Sequence, residues 1–281
     1  MLTILGFAIV LTCVVLGYVL HHGNLLVLYQ PTELLIIGGS AIGALVAASS
    51  KATIKSVIHE TLGVLKGSGI SKEKYLQLLM CYNDLFRLAT SNPIAVEPHV
   101  ENPENSDIFK SYPLILSDHH VVTFICNTLQ LNLTGNINPY DLEDLMDQDI
   151  QTMHEEEKAV PATLSRLADA LPGLGIVAAV LGVVITMGKL TEGKEVIGQS
   201  VAAALVGTFL GILLCYGIFQ PLAARVEGLM EEKGKIFGVA KAGLLAFAKG
   251  NKAPACLEFT RRNIPLEFRP SFKEVEEAVK K

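Results

Sequence analysis

Tryptophan is absent from this 281-residue chain and aromatics make up only 6% of it, so the bulky rings that anchor many cores and membrane borders are scarce. Charge is missing over longer distances. No Asp, Glu, Lys or Arg occurs from Met1 to Thr32, from Leu34 to Ser50, from Leu171 to Gly188, or from Val196 to Ala224. Each run is long enough to cross a bilayer as a helix. The five cysteines, Cys13, Cys81, Cys126, Cys215 and Cys256, are odd in number and contain no CxxC pair, which excludes a disulfide framework and reads as reduced, structural thiols. A net charge of −5 supplies no basic surface and argues against nucleic acid as a partner. HExxH and GxSxG are absent, and Asp118-His119-His120 lacks metal-ligand spacing to the distant cysteines. No catalytic constellation results, and neither a cofactor nor a metal is expected. The stretch Gly188-Lys189-Leu190-Thr191-Glu192-Gly193-Lys194-Glu195 nearly spells a phosphate loop, but Glu195 replaces the hydroxyl that would hold magnesium and Glu192 puts negative charge where phosphate would sit.

Half of the residues are hydrophobic, too many for an ordinary soluble domain, yet enough charge remains for a sizeable water-exposed part. The pattern reads as an all-α, polytopic membrane protein with four transmembrane helices and a helical aqueous domain. Residues 1–50 carry the first two spans, 51–170 the aqueous domain, 171–224 spans three and four, and 225–281 a charged helix and tail. The first span lacks the basic flank and the small-residue cleavage site of a secretory leader, so it is expected to be retained. Pro31 marks a turn between spans one and two, with Glu33 placed at the membrane interface.

Orientation follows from the basic residues. Lys51, Lys55, Lys66, Lys158, Arg166, Arg225, Lys233 and Lys235 flank one side of the spans, whereas the short connections 21–33 and 189–195 hold only Lys189 and Lys194. That bias puts both termini and the 51–169 segment in the cytoplasm.

In the aqueous part, Val57–Leu65, Tyr75–Leu88, Ile108–Leu116, His120–Leu133 and Asp141–Lys158 each place apolar residues three and four apart, as amphipathic helices do. Leu142, Leu145, Met146, Ile150 and Met153 form one stripe, and the Asp and Glu residues of that stretch lie off it. Near the end, Phe272, Val275 and Val279 fit a short helix capped by Ser271, with Glu274 three residues on.

Spans three and four hold no ionisable carboxylate or amine, yet each carries a proline. Pro172 falls where a span could simply begin, as a first-turn proline does. Pro221 interrupts a continuous pattern and should free a carbonyl near Gly217, bending the helix there. Small residues recur at four-residue spacing: Ala203, Gly207, Gly211 and Cys215 in span four, Gly39, Gly43 and Ala47 in span two, Gly175 and Ala179 in span three. Such ladders let helix backbones approach closely, within one chain or between neighbours. Thr186 and Thr208 are the polar side chains deep in these spans. Back-bonding to a carbonyl of the same helix is the common role of a membrane threonine, and pore lining is the alternative. A wall of this kind conducts ions only if another chain supplies the titrating group.

Leu28-Tyr29-Gln30-Pro31-Thr32-Glu33-Leu34, Glu101-Asn102-Pro103, Leu171-Pro172-Gly173-Leu174-Gly175-Ile176-Val177-Ala178-Ala179, Val206-Gly207-Thr208-Phe209-Leu210-Gly211-Ile212, Pro221-Leu222 and Arg269-Pro270-Ser271-Phe272 occur in this order along the chain. In these motifs the sequence resembles the MotA family of flagellar motor stator subunits over essentially its whole length. The resemblance implies a homo-oligomer, a pentameric ring in the inner membrane, around a MotB-type single-span partner whose aspartate takes up the ion and which binds peptidoglycan. It implies torque on the rotor protein FliG. The family's two functional prolines correspond to Pro172 and Pro221, its rotor-facing glutamate to Glu97, and its channel threonine to Thr208. The companion arginine would fall near Ala89 or Thr90, and the nearest basic residue is Arg87. Sodium-driven relatives carry threonine where Ala179 stands, so the resemblance implies proton drive, because alanine offers no oxygen to replace sodium's hydration. The related ExbB and TolQ energisers of outer-membrane transport, a sodium-driven stator, and a purely structural assembly protein are the alternatives.

Overall fold

The computed structural model describes residues 2–64, 67–135, 137–189, 191 and 193–280, without the side chain at position 134. Lys66 in the orientation argument, Leu65 at the end of an expected helix, and Leu190 and Glu192 of the phosphate-loop near-match lie outside the described residues. Among the described residues there are helices and no strand. The first part contains α1 (Leu2–Leu20), α2 (Leu25–Leu28), α3 (Pro31–Ala48) and α4 (Lys51–Gly63). Then come α5 (Lys72–Ser91), α6 (Pro93–Glu101), α7 (Asp107–Lys110), α8 (Pro113–Leu116) and α9 (His119–Thr134). The chain continues with α10 (Pro139–Met187), α11 (Lys194–Leu214), a π turn (Cys215–Phe219), α12 (Gln220–Ala248), α13 (Ala253–Asn263) and α14 (Phe272–Val279). Four helical stretches, Leu2–Leu20, Leu25–Ala48, Pro139–Met187 and Lys194–Ala248, are long and apolar enough to cross a membrane.

The chain forms two compact units. One comprises Met1–Gly67 with Glu156–Leu229. Its core is small: Ile37 and Ala41 of α3 meet Ala168, Leu171 and Ala178 of α10 and Cys215 of the π turn. Glycine makes the approach of α10 and α11 possible. A Cβ placed on Gly211 would stand 2.6 Å from the Leu171 carbonyl oxygen, and one on Gly175 would stand 2.8 Å from the Gly207 carbonyl oxygen. The ladders of spans three and four are therefore packed against each other inside one chain. That of span two is not: beyond the backbone of α3 itself, no atom of the described residues lies within 4 Å of where a Gly43 Cβ would be, and Gly39 and Ala47 are exposed.

The other unit comprises Ser68–Glu155 with Met230–Lys281. Its core is dense. Tyr75, Leu78, Leu79, Tyr82, Leu85 and Phe86 of α5 are wholly buried among Ile125 and Leu129 of α9, Ile236 and Ala240 of α12, and Cys256 of α13. Phe86 stacks on Phe247 with ring centres 4.6 Å apart, and the Tyr82 hydroxyl donates to the Ala240 carbonyl at 2.9 Å. Burial pushes the Cys126 thiol up to about 12 and the Cys256 thiol up to about 11, which leaves both inert at neutral pH. The short tail helix α14 has the expected capping box, Ser271 with Glu274, and Glu274 also accepts a hydrogen bond from Lys72 at 2.6 Å.

Three local expectations are corrected. Ile108–Leu116 is not one helix, because Pro113 has no N–H to continue α7 and restricts Tyr112 to a non-helical conformation, so α8 starts afresh. Asp141–Lys158 and span three are not separate helices but parts of α10. Pro172 consequently lies in a helix interior, as does Pro161, and not at a helix start. Neighbouring helices and local adjustments let a membrane helix tolerate an interior proline that an isolated one would not.

Candidate functional site

The uncharged wall is built by the second half of α10 and by α11, both within one unit. Ala179 and Thr208 flank the same close contact. A Cβ on Gly207 would stand 3.3 Å from the Ala179 nitrogen, and one on Gly175 would stand 3.4 Å from the Thr208 Cα. Both side chains are half-buried. Thr186, in contrast, is wholly buried and donates to the Gly182 carbonyl at 2.8 Å, the back-bonded role of a membrane threonine.

The break near Pro221 has a defined form. Proline at 221 offers no N–H and its ring crowds the carbonyl one turn back. The helix absorbs this in the π turn Cys215–Phe219, where the Gln220 N–H donates to the Cys215 carbonyl five residues earlier. Gly217 sits in that turn, and a Cβ there would come 3.0 Å from Val10 of α1. Helix α1 thus packs on the wide turn. Just beyond it, the Gln220 side chain donates to Asp169 Oδ1 at 2.7 Å, one turn before Pro172. The two prolines are therefore brought to the same end of the α10–α11 pair, Pro172 half-buried and Pro221 exposed. The π turn and the Asp169–Gln220 tie were not foreseen, since a proline signals a break but not how the preceding turn relaxes.

Glu33, expected at the membrane interface, is turned inward within its unit. It is buried, at 7% exposure, beside Gly207 and Ala178, because it shares one face of α3 with Ile37 and Ala41. The wall is thus uncharged from Leu171 to Met187 of α10 and from Val196 to Leu214 of α11 but has a carboxyl from α3 against it.

Glu97 and Arg87 lie in the other unit, exposed on the neighbouring helices α6 and α5. Ala89 is part of the buried core and the Thr90 hydroxyl bonds back to the Phe86 carbonyl at 2.7 Å, so of these positions on α5 only Arg87 presents a cation to solvent. Among the described residues no group of three or more His, Cys, Asp or Glu side chains could hold a metal ion.

A helical chain with four membrane-crossing stretches and a tightly paired, glycine-lined α10–α11 wall is, as a class, a multi-pass integral membrane protein. Residues 4–93 match the motility protein A N-terminal family, and residues 117–237 match the MotA/TolQ/ExbB proton channel family. Motility protein A of Salmonella typhimurium is 40% identical over 282 aligned residues, covering 100% of this chain and 95% of that protein. The fold is similar to a structure of C. jejuni MotAB, with a TM-score of 0.76 at 20% identity over 96% of this chain and 98% of that one. It is also similar to a structure of the flagellar MotAB stator complex from Bacillus subtilis, with a TM-score of 0.72 at 22% identity over 98% of both chains. The chain belongs to the motility protein A family, and is a multi-pass protein of the inner membrane.

Proposed function

We infer that this protein is the stator subunit that forms, with a MotB-type single-span partner, the proton channel of a bacterial flagellar motor. The observation that carries the reading is the α10–α11 wall: two helices in glycine-mediated contact, uncharged along their apolar lengths, with Pro172 inside α10 and the π turn before Pro221 at the same end. Such a wall can confine a path but cannot by itself load and release a proton, so a partner's carboxylate must do so. The Bacillus subtilis structure described above as a MotAB stator complex is in keeping with a second chain beside this one.

Within this reading, homo-oligomerisation as a pentameric ring encloses the partner, and the free ladder Gly39, Gly43 and Ala47 offers a face for a neighbouring subunit or for lipid. The ring lies with both termini and residues 51–170 and 225–281 in the cytoplasm, where exposed Glu97 and Arg87 face the rotor protein FliG. Pro172 and Pro221 are the hinge, and Ala179 and Thr208 border the ion path. Ala179 lacks an oxygen for sodium and favours the proton. One charge crossing the membrane releases about 2.3 kcal/mol per 100 mV, enough to bias two alternative helix packings and far from enough to require nucleotide or covalent chemistry. The protein is on this account a channel subunit and not an enzyme, with no cofactor.

The test is co-expression with the peptidoglycan-binding partner in cells lacking their own stator. Swimming that persists without sodium and collapses when the proton gradient is dissipated is expected. Swimming that stops on sodium removal overturns proton drive, and absence of motility despite assembled complex overturns the stator reading.

A further inference from the structure

Along α3 the side chains turned inward are Glu33, Ile37 and Ala41, four residues apart and so stacked on one face. A carboxyl in that row is unexpected. Glu33 is only 7% exposed, and among the described residues its Oε2 has no hydrogen-bond partner. That oxygen lies over Gly207: a Cβ added there would stand 2.7 Å from it, 3.2 Å from Ala178 Cβ and 3.3 Å from the Ala179 nitrogen. Glycine at 207 is what leaves room for the carboxyl, and the place it reaches is bordered by Ala178 and Ala179.

Among the described residues of α10, α11 and α2 the surroundings offer no counter-charge. Between Leu171 and Met187 of α10, and between Val196 and Leu214 of α11, no side chain titrates or carries charge, and α2 has none. The nearest such groups along these helices are Lys194 and Glu195 at the start of α11, Cys215 after it, and Asp169, which is engaged by Gln220. An ionised carboxylate without a partner in an apolar slot costs on the order of several kcal/mol.

We propose that Glu33 is a second proton-binding carboxyl of the channel, carried by this chain and separate from the partner's. The proposal rests on the reading of α10 and α11 as an ion-path wall. In the closed packing the carboxyl holds its proton. When the wall opens at Ala179 and Thr208, the O–H bond breaks, its electron pair stays on Glu33 and the proton passes to a water of the path. The carboxylate then takes a proton from water on the outer side and the slot closes again. If Glu33 served only to fill space or to hydrogen-bond, a glutamine would do equally well.

The measurement uses the complex of the full chain with its partner in vesicles under an imposed proton gradient. Glu33→Gln keeps the shape but cannot exchange a proton. It is expected to lower proton flux several-fold, most strongly when protons are scarce on the outer side, at unchanged complex abundance. It should also remove a protonated-carboxyl C=O stretching band from the infrared spectrum of the resting complex. Glu33→Asp retains an exchangeable proton and should recover part of the flux. Wild-type flux in the glutamine variant overturns the proposal, and so does a glutamine variant that retains the whole acid band. An aspartate variant as slow as the glutamine one does the same. If the unaltered complex passes no protons, the channel reading fails instead, while the infrared band still decides whether Glu33 is the acid.

Discussion

The unit of Ser68–Glu155 with Met230–Lys281 buries Tyr75, Tyr82, Phe86 and Phe109 completely, whereas the unit of Met1–Gly67 with Glu156–Leu229 buries no aromatic ring among its described residues. In the latter, Leu5, Ile9 and Leu16 of α1, Leu35 and Ile42 of α3, and Val184 and Ile185 of α10 stand exposed. The first kind of unit is held by apolar area removed from water, a driving force that one chain can satisfy alone. The second is held by backbones brought close through glycine, and its outer apolar surface calls for lipid or further subunits. The two units are thus held by different means, interlocked rings in one and close backbones in the other. Small contact residues and a π turn permit alternative packings that interlocked aromatic rings would resist.

Gly211 gives the sharpest way to break this contrast. Leucine there would drive a Cβ toward the Leu171 carbonyl, now at 2.6 Å from that position, and toward Gly175 Cα at 2.9 Å. Both obstacles are backbone, so the helices must separate. Gly211→Leu is expected to abolish motility and to remove the partner from the purified complex, while leaving the aqueous unit as resistant to protease as in the unaltered chain. If proteolytic resistance of the aqueous unit falls with the wall, the two units are not energetically distinct.

Tyr82→Ala makes the converse cut. It deletes a wholly buried ring packed 4.8 Å from Phe86, together with the hydrogen bond to the Ala240 carbonyl. Loss of a buried aromatic costs about 3 to 5 kcal/mol, a large share of what holds a domain of this size. The variant should show strongly increased protease cleavage between 68 and 155 at ordinary temperature, with the spans still inserted. Equal cleavage of both chains would mean that the aqueous unit draws its stability from elsewhere.

How far the sequence discloses each unit follows the same physics. The spans and the amphipathic helices of the aqueous part were legible because both are written locally, as missing charge or as three- and four-residue spacing. The capping box at Ser271 and Glu274 is equally local and was readable. What escaped depends on partners far along the chain. Glu33 is buried because Gly207 leaves space for it, and nothing near position 33 announces that. Pro172 looked like a helix start because a proline restricts only its own preceding turn. Helix α10 continues through it, with Ala168 and Leu171 just before it buried in the core that α3 shares. Pro221 was readable as a break, but the π turn that relieves it depends on a five-residue adjustment upstream that no residue type dictates.

The smallest effect belongs to the polar fastening of the aqueous unit's tail. Hydrogen bonds from Arg261, then from Arg262, hold the Glu258 carboxyl down to about 2, against an ordinary value of 4.5. Because the folded value is the lower one, the pair contributes its full stabilisation above pH 4.5 and loses it as pH falls from there toward 2. The groups are partly open to solvent, at 28% exposure for Glu258 and 15% for Arg261, so the contribution is about 1 kcal/mol or less. Glu258→Gln should therefore lower the unfolding temperature of the aqueous unit slightly at pH 7, with the difference from the unaltered chain shrinking as the solution is taken through pH 4.5 toward 2. The wall holds no such ion pair along its apolar lengths, so its packing should not change over that interval through this route. A variant difference that stays constant down to pH 2 would show that Glu258 acts through its shape and not through its charge.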